Sequence, residues 1–584
     1  MSMGVVRTFH KRGLLLVLFI ICLVASVLMG RIFYLMVMDS ERLAKAVQDL
    51  HERERVIKAE RGKIYDRNGI VLADNMPVCT ISVIHNQITD AEQVIEVLCK
   101  ELSLSESYVR KRVEKYSSIE TIKTNVEKEI ADIIRAYELD GVMVDEDYRR
   151  CYPYETLASK VLGFTGSDNQ GILGLEVKYD FWLKGENGKI LTLATAHGVE
   201  IKDAAETMVM PLEGNSIKTS LDIVIQSYAQ QIAMKVLEAK SAKSVSIILM
   251  NPQNGELYAM VNVPEYDLNH PYELTQFYAQ EGTTAEQKTE LLNQMWRNSC
   301  ISDTYEPGSA FKIVTAAAAL EHGVLKVSDT FHCPGYKIVA DRRIRCHKTT
   351  GHGTQSFVEA IMNSCNPAFM EIGERLGIEA FYETFEVLGL FRKTGIDLPG
   401  ESTSIMHKAE HVGEVELATI SFGQSFQITP LQLMCAVSTI INGGTKITPH
   451  FVTEIVNAGG DTIKTIENHG QMGLVSVETS EIMKMVLEKV VSEGTGNNAF
   501  VEGFEIGGKT ATSEKLPRRS NKYIASFLGF APASNPKVIG MVIIDEPQGL
   551  YYGGTIAAPI MGEVFETILP YLGIEASIVD LDES

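Results

Sequence analysis

Cysteine, tryptophan and proline are scarce in this chain of 584 residues, which holds nine, two and 18 of them respectively. Nine cysteines over such a length are too few for a disulfide framework, and the odd count leaves at least one without an intramolecular partner. Basic residues are also in deficit, with 54 Lys and Arg against 75 Asp and Glu and a formal net charge of -21. A chain that neutralises phosphates carries the opposite balance, so no nucleic-acid partner is expected. There is no internal repeat and no Gln/Asn, Pro or Gly/Ser tract, which argues against repeat architectures and wholesale disorder. What remains is an ordinary globular composition, 45% hydrophobic and 22% charged, long enough for two or three domains.

Long apolar runs are confined to one place. Residues 13 to 30 read GLLLVLFIICLVASVLMG without a charge, and residues 32 to 38 extend the run past Arg31, which can snorkel from near the end. Arg7, His10, Lys11 and Arg12 precede it with no acidic residue, so the positive-inside rule places 1–12 in the cytoplasm, a membrane anchor at 13–36 and the rest outside. A cleaved signal peptide is the competing reading; its apolar region would be shorter, and no convincing A-x-A site follows.

After the anchor, residues 40 to 58 read as a charged amphipathic helix, and Arg61-Gly-Lys-Ile-Tyr-Asp-Arg-Asn-Gly-Ile-Val-Leu-Ala73 as a hairpin turning at Asn68-Gly69. Residues 88 to 140 are mostly helical in pattern, and a glycine-punctuated stretch runs from Gly163 to Gly185. Together these suggest a membrane-proximal module over 40–215. Beyond it, residues 245–250 and 256–261 flank the turn Asn251-Pro-Gln-Asn-Gly255, and residues 523–531 and 538–545 flank Ser534-Asn-Pro536, giving two antiparallel hairpins with a largely helical region, about 315 to 440, between them. A sheet built from both ends of a domain with helices inserted is an α+β layout, expected over 216–574 and followed by an acidic tail at 575–584.

Three short motifs carry chemistry. Ser309-Ala-Phe-Lys312 opens the apolar helix pattern after Glu306-Pro-Gly308, so a spacing of three puts serine and lysine on one helical face. A serine hydroxyl needs a base, and a lysine serves only if burial, a second cation or the helix dipole lowers its pKa. S-x-x-K arises about twice by chance in such a chain. The second copy, Ser534-Asn-Pro-Lys537, is disqualified by its proline and turn setting. Ser364-Cys-Asn366 lies ahead of Pro367 and could aim a hydroxyl and an amide into a cleft, although such a pair is by itself most simply a surface turn; Ser167-Asp-Asn169 matches the same pattern and reads as one. Lys509-Thr-Ala-Thr512 on a strand projects Thr510 and Thr512 to one face, where they could hold a carboxylate beside the lysine. Gly503 to Thr510 also satisfies the letters of a phosphate loop, but that loop follows a strand and opens a helix, and here a strand is expected next.

The order S-x-x-K, S-x-N, K-T-x resembles the triplet of penicillin-binding proteins and class A β-lactamases. Arg61 to Gly69, Gly174-Leu-Glu176 with Tyr179-Asp180, Tyr305-Glu-Pro-Gly-Ser309, and Ser421-Phe-Gly-Gln424 leading to Thr429-Pro-Leu-Gln432 narrow the resemblance to class B penicillin-binding proteins, monofunctional transpeptidases with an N-terminal pedestal, and within them to the division or sporulation types of Gram-positive bacteria. The resemblance implies a serine-transpeptidase fold with helices on both sides of an antiparallel sheet, and a membrane-anchored peptidoglycan DD-transpeptidase that β-lactams acylate. It implies Ser309 as nucleophile, Lys312 as general base, Ser364 and Lys509 in proton relay, Asn366, Thr510 and Thr512 on the substrate, and the backbone N–H groups of Ser309 and Thr512 as oxyanion hole. No metal or organic cofactor is expected. The implied partners are D-Ala-D-Ala stem peptides, an acceptor amine, β-lactams, a SEDS-type glycosyltransferase and division or sporulation proteins. A β-lactamase or antibiotic sensor, and a non-catalytic scaffold of the wall-synthesis complex, are the rival readings. Ala511 stands where the family usually has glycine, its methyl facing the cleft or the neighbouring strand. Cys333, Cys346, His347 and His352 share one loop segment, open to a Cys333–Cys346 disulfide, two free thiols or a metal; Cys365 reads as a packed small residue, and Tyr305 as core and cleft wall.

Overall fold

The computed structural model describes residues 3–38, 52–117, 119–193, 207–467 and 470–576. An N-terminal helix, Met3–Phe33, continues through a π turn at Tyr34–Met38. Its apolar span, Arg12–Met38, has 27 residues and a mean hydropathy of 2.9, and none of it is buried by protein. At about 1.5 Å per residue it is long enough to cross a bilayer.

The chain divides into two compact units. The first comprises residues 1–59, 77–148 and 186–212. There helices Ala91–Leu102, Glu106–Val113 and Lys128–Ala136 share a core with strands through Val94, Leu98, Val109, Ile122 and Ile134. Two expectations are corrected in this unit. Glu52–Ile57 is a strand paired with Gly188–Leu193 rather than the end of a helix, and Glu120–Glu127 is a strand interrupting the helical stretch. The remainder of the helix expected from residue 40 lies outside the described residues, as do 577–584 of the acidic tail.

The second unit comprises residues 60–76, 149–185 and 213–584. The hairpin expected from Arg61 onward is present, with Ile64 opposite Ala73 and Tyr65 opposite Val71. The motifs around it meet in a buried ion cluster. Arg61 Nε donates to Glu176 Oε2 at 2.6 Å and its Nη1 to Asp180 Oδ1 at 2.7 Å, while Arg150 Nε donates to Glu176 Oε1 at 2.6 Å. Ser167-Asp-Asn169 is an exposed turn, as expected.

The central sheet of this unit is antiparallel and five-stranded. Its strands β1 (Ser244–Met250), β2 (Leu257–Val263), β3 (Gly507–Glu514), β4 (Tyr523–Ala531) and β5 (Val538–Asp545) lie in the order β2-β1-β5-β4-β3. Strand alternation sends Val245, Ile247, Leu249, Val542 and Ile544 into one core with helices α1 (Ile223–Ala239) and α6 (Ala558–Tyr571). Ile248, Met250, Met541 and Ile543 enter the other, with α2 (Lys312–Glu321), α3 (Asn366–Val387), α4 (Pro430–Ile441) and α5 (Val477–Ser492). The result is the expected sheet between two helical layers. Thr429 caps α4 by accepting from Gln432 N at 3.1 Å, which explains the Thr-Pro-Leu-Gln motif as a helix start. The region between the hairpins is less helical than expected. An arm of four short strands, Thr330–Cys333, Tyr336–Val339, Arg342–Arg345 and Gly353–Ser356, projects between α2 and α3.

Candidate active site

Ser309 lies on a 3-10 turn, Gly308–Phe311, that runs directly into α2. The turn is held from both sides. Gly308 N donates to Gly423 O at 2.9 Å, and Ser513 Oγ of β3 donates to Glu306 O at 2.7 Å. Glu306 pairs with Arg518 and accepts from Ser425 N at 3.0 Å, so the residues preceding the nucleophile are tied to two neighbouring segments. Two glycines are sterically required. Gly308 has φ +55 and an added Cβ would stand 2.6 Å from Ser513 Oγ, while a Cβ on Gly423, φ +83, would overlap Gly308 O.

Lys312, one turn on, is fully buried. Its Nζ donates to Ser364 O at 2.7 Å, Asn366 Oδ1 at 2.7 Å and Ser364 Oγ at 3.3 Å. Among the described residues no hydrogen bond joins it to Ser309 Oγ, so the lysine faces the second motif rather than the nucleophile. Ser364 has φ +51, a left-handed conformation that a residue with a side chain adopts at a cost, here at the point where its oxygens converge on Lys312. Asn366 opens α3, and its Nδ2 makes only a long contact, 3.4 Å, with Arg345 O.

β3 is an edge strand that presents the third motif. Lys509 is fully buried, with Thr510 O at 3.4 Å from its Nζ. Thr510 and Thr512 line the cleft; Thr512 Oγ1 accepts from Gly553 N at 2.9 Å, leaving its own hydrogen available to a ligand. Ala511 is 3% exposed and belongs to the core; its methyl lies on the side of Gly308, and the residue also borders the cleft. Because residues 507–514 form a strand and no helix follows, the phosphate-loop reading is excluded.

Ser309, Ser364, Asn366, Thr510 and Thr512 border one cleft of about 590 Å³, with Phe422, Gln424, Thr495, Asn498 and Tyr552 among its other wall residues. Asn498 Nδ2 donates to Gly554 O at 2.7 Å, and Thr495 Oγ1 to Met362 O at 2.9 Å, bracing two wall segments. Thr495, Asn498 and Tyr552 were not foreseen from the sequence; the only signal was Gly553-Gly554 after two tyrosines. Tyr305 does not line this cleft. It borders a separate cavity of about 740 Å³ with Lys515 and Asp545.

Burial sets the electrostatics. Desolvation brings the Lys312 ammonium down to about 8, opposed by the nearby thiols of Cys365 and Cys346. Lys509 is driven well below the usual lysine value, first by burial and then by the charge on Lys312.

A serine whose turn is clamped between a strand and a loop, with two desolvated lysines beside it, defines a serine acyltransferase of the penicillin-recognising architecture. Residues 245–566 match the penicillin binding protein transpeptidase domain, and residues 56–219 match the penicillin-binding protein dimerisation domain. Stage V sporulation protein D of Bacillus subtilis is 39% identical over 97% of this chain and 87% of its own length. Peptidoglycan D,D-transpeptidase FtsI of Escherichia coli K12 is 27% identical over 95% of this chain and 91% of its own. Penicillin Binding Protein 2X from Streptococcus thermophilus shares the fold, with a TM-score of 0.73 at 20% identity, covering 89% of this chain and 81% of that one. The chain belongs to the penicillin-binding protein transpeptidase family.

Proposed function

We infer that this protein is a membrane-anchored peptidoglycan DD-transpeptidase that cross-links stem peptides through an acyl-enzyme on Ser309 and is acylated there by β-lactams. The convergence of the three motifs on one cleft carries this reading. Ser309 Oγ attacks the penultimate D-Ala carbonyl of a D-Ala-D-Ala stem, and the terminal D-Ala leaves as the amine. Lys312 is the base. Its ammonium rests on Ser364 and Asn366 in the free site, so it must shed a proton before it can accept one from Ser309.

The terminal carboxylate of the donor supplies the trigger. Bound to Thr510, Thr512 and Lys509, it favours the charged form of Lys509, and that charge drives the proton off Lys312. Ser364, 3.3 Å from Lys312 Nζ, relays the proton to the departing amine. Asn366 fixes Lys312 through Oδ1 and offers Nδ2 to the peptide backbone. The backbone N–H groups of Ser309 and Thr512 form the oxyanion hole, where losing one donor typically costs about 3 to 4 kcal/mol of transition-state stabilisation. An amine from a neighbouring stem then takes the acyl group.

The basic residues Arg7, Lys11 and Arg12 ahead of the apolar helix support a cytoplasmic N-terminus with the catalytic unit outside. The family resemblance supports a SEDS-type glycosyltransferase and division or sporulation proteins as partners. Gel labelling with fluorescent penicillin tests the central reading. A stable covalent label is expected on the native chain and none on Ser309→Ala. Rapid antibiotic turnover would instead mark a β-lactamase, and absence of any label a scaffold.

A further inference from the structure

Beside the serine cleft, three of the nine cysteines meet a histidine. Cys333 ends one strand of the arm, Cys346 follows another, His352 precedes the last, and Cys365 lies between Ser364 and Asn366. Their donor atoms, three Sγ and one ring nitrogen, all lie within 4.8 Å of one another. The thiols are each at most 2% exposed and His352 is half-buried. The set differs from the one expected from sequence: Cys365, from outside the arm, replaces His347, which borders the cleft and whose Nδ1 lies 3.8 Å from Cys346 Sγ alone.

The backbone shapes this site through its own hydrogen bonds, with Cys346 N donating to Gly335 O at 2.8 Å and His352 N to Cys333 O at 3.1 Å. A tetrahedral zinc with bonds of about 2.3 Å to sulfur and 2.0 to 2.1 Å to nitrogen separates an S/N ligand pair by roughly 3.6 Å. Cys346 Sγ and His352 Nδ1 are 3.7 Å apart. All nine cysteines are free thiols. Any one disulfide within the cluster would leave the third thiol and the imidazole unpaired, whereas one tetrahedral ion uses all four donors.

We propose that Cys333, Cys346, His352 and Cys365 bind one Zn²⁺ in a closed four-ligand site that clamps the arm of residues 330–356 to the Ser364–Asn366 segment. Three thiolates with an imidazole in a small tetrahedral set favour zinc over the oxygen-seeking cations. With four protein ligands there is no open position, so the ion is structural and takes no part in acyl transfer. On binding, the three thiols lose their protons to solvent, leaving the ion with three thiolates at a net charge of -1. The arm also carries four exposed basic residues, Arg342, Arg343, Arg345 and Lys348. Because Cys365 separates the two residues that hold Lys312, the clamp acts on the catalytic group by fixing the left-handed turn at Ser364.

The test is metal analysis of the full-length chain, purified in detergent under reducing conditions with zinc present, by mass spectrometry of the element. One zinc per chain is expected, with loss in Cys333→Ser and in His352→Ala and retention in Cys435→Ser, whose thiol is buried in α4 away from the cluster. Cobalt substitution of the native chain, which does not depend on the variants folding, should give the intense visible bands of a tetrahedral site and thiolate charge-transfer absorption. Stripping the metal should slow penicillin acylation severalfold, with recovery on adding Zn²⁺. Zinc content no higher in the native chain than in Cys333→Ser, octahedral cobalt spectra, or another metal at stoichiometry would overturn the site. Unchanged acylation after stripping would overturn the clamp.

Discussion

The base assignment makes a quantitative demand on pH. Burial lowers Lys312 from 10.5 to about 8. At pH 7 that leaves roughly a tenth of the lysine as free base, about 300-fold more than an unshifted lysine would offer and equivalent to roughly 3 kcal/mol. The sign follows from the neutral form being the reactive one: lowering pH protonates the base and slows acylation. The second-order rate of acylation by fluorescent penicillin, measured by quenched-flow gel analysis, should rise nearly tenfold per pH unit between about 6 and 7.5 and bend near 8. At saturating ligand the bend should move lower, since a carboxylate bound at Lys509 returns charge to that site. In Lys509→Met the free-enzyme bend should stay near 8, and the saturating one should rise to meet it while the absolute rate falls. A profile without a bend, or one bending near 10, would refute Lys312 as the desolvated base. A large shift of the free-enzyme bend in Lys509→Met would refute the idea that the ligand recharges Lys509.

Ser309→Ala should abolish penicillin labelling with a melting temperature close to that of the native chain, because among the described residues the hydroxyl makes no hydrogen bond that holds the fold; labelling and a thermal melt check both. Arg61→Ala removes one of the two arginine partners of the fully buried Glu176 and should cost about 3 to 5 kcal/mol in urea unfolding, as breaking a buried pair from one side does. Retention of stability would show that Arg150 alone satisfies that carboxylate. Gly553→Ala places a Cβ against Ala511 O and Ser526 O at the edge of β3. Acylation there should fall at least tenfold for a stability loss of about 1 to 3 kcal/mol, read by labelling rate and melting together.

The sequence was most legible where chain-local signals decide. The strands at 523–531 and 538–545 were bounded correctly because each is an apolar run closed by a Ser-Asn-Pro turn, and the 64–73 hairpin because Asn68-Gly69 supplies the turn, with Gly69 at φ +85. Glu52–Ile57 failed because ERERVI carries helix-forming charges, and only its partner at Gly188–Leu193, distant in sequence, makes it a strand. The arm failed for a related reason: four strands of four residues each are too short to show a period. Within the site the three motifs were visible as letters, yet the left-handed φ of Ser364 and the turning of Lys312 toward it were not, since both depend on α3 meeting α2. From sequence Cys365 reads as a packed small residue, as most buried cysteines are, and its place in the cluster depends on two cysteines and a histidine from a segment that folds beside it.

The acidity of the chain bears on the cleft in a way the composition could not show. A net charge of -21 spread over an exposed surface is screened beyond about 8 Å at physiological ionic strength, so it reaches a buried group weakly. What Lys312 and Lys509 feel is their own surroundings. Burial acts on both, the thiols of Cys365 and Cys346 on the first and the charge of Lys312 on the second, and among the described residues no carboxylate bears appreciably on either. Lys509 therefore has no carboxylate counter-ion among the described residues, and burial holds it toward its neutral form. A carboxylate offered by the ligand supplies the partner that charged Lys509 lacks, in a desolvated site where the attraction is far stronger than at the surface. In the proposed mechanism the burial that lowers Lys509 is what makes a terminal carboxylate its recharging partner, so that recognition of that terminus and release of the base Lys312 become a single event.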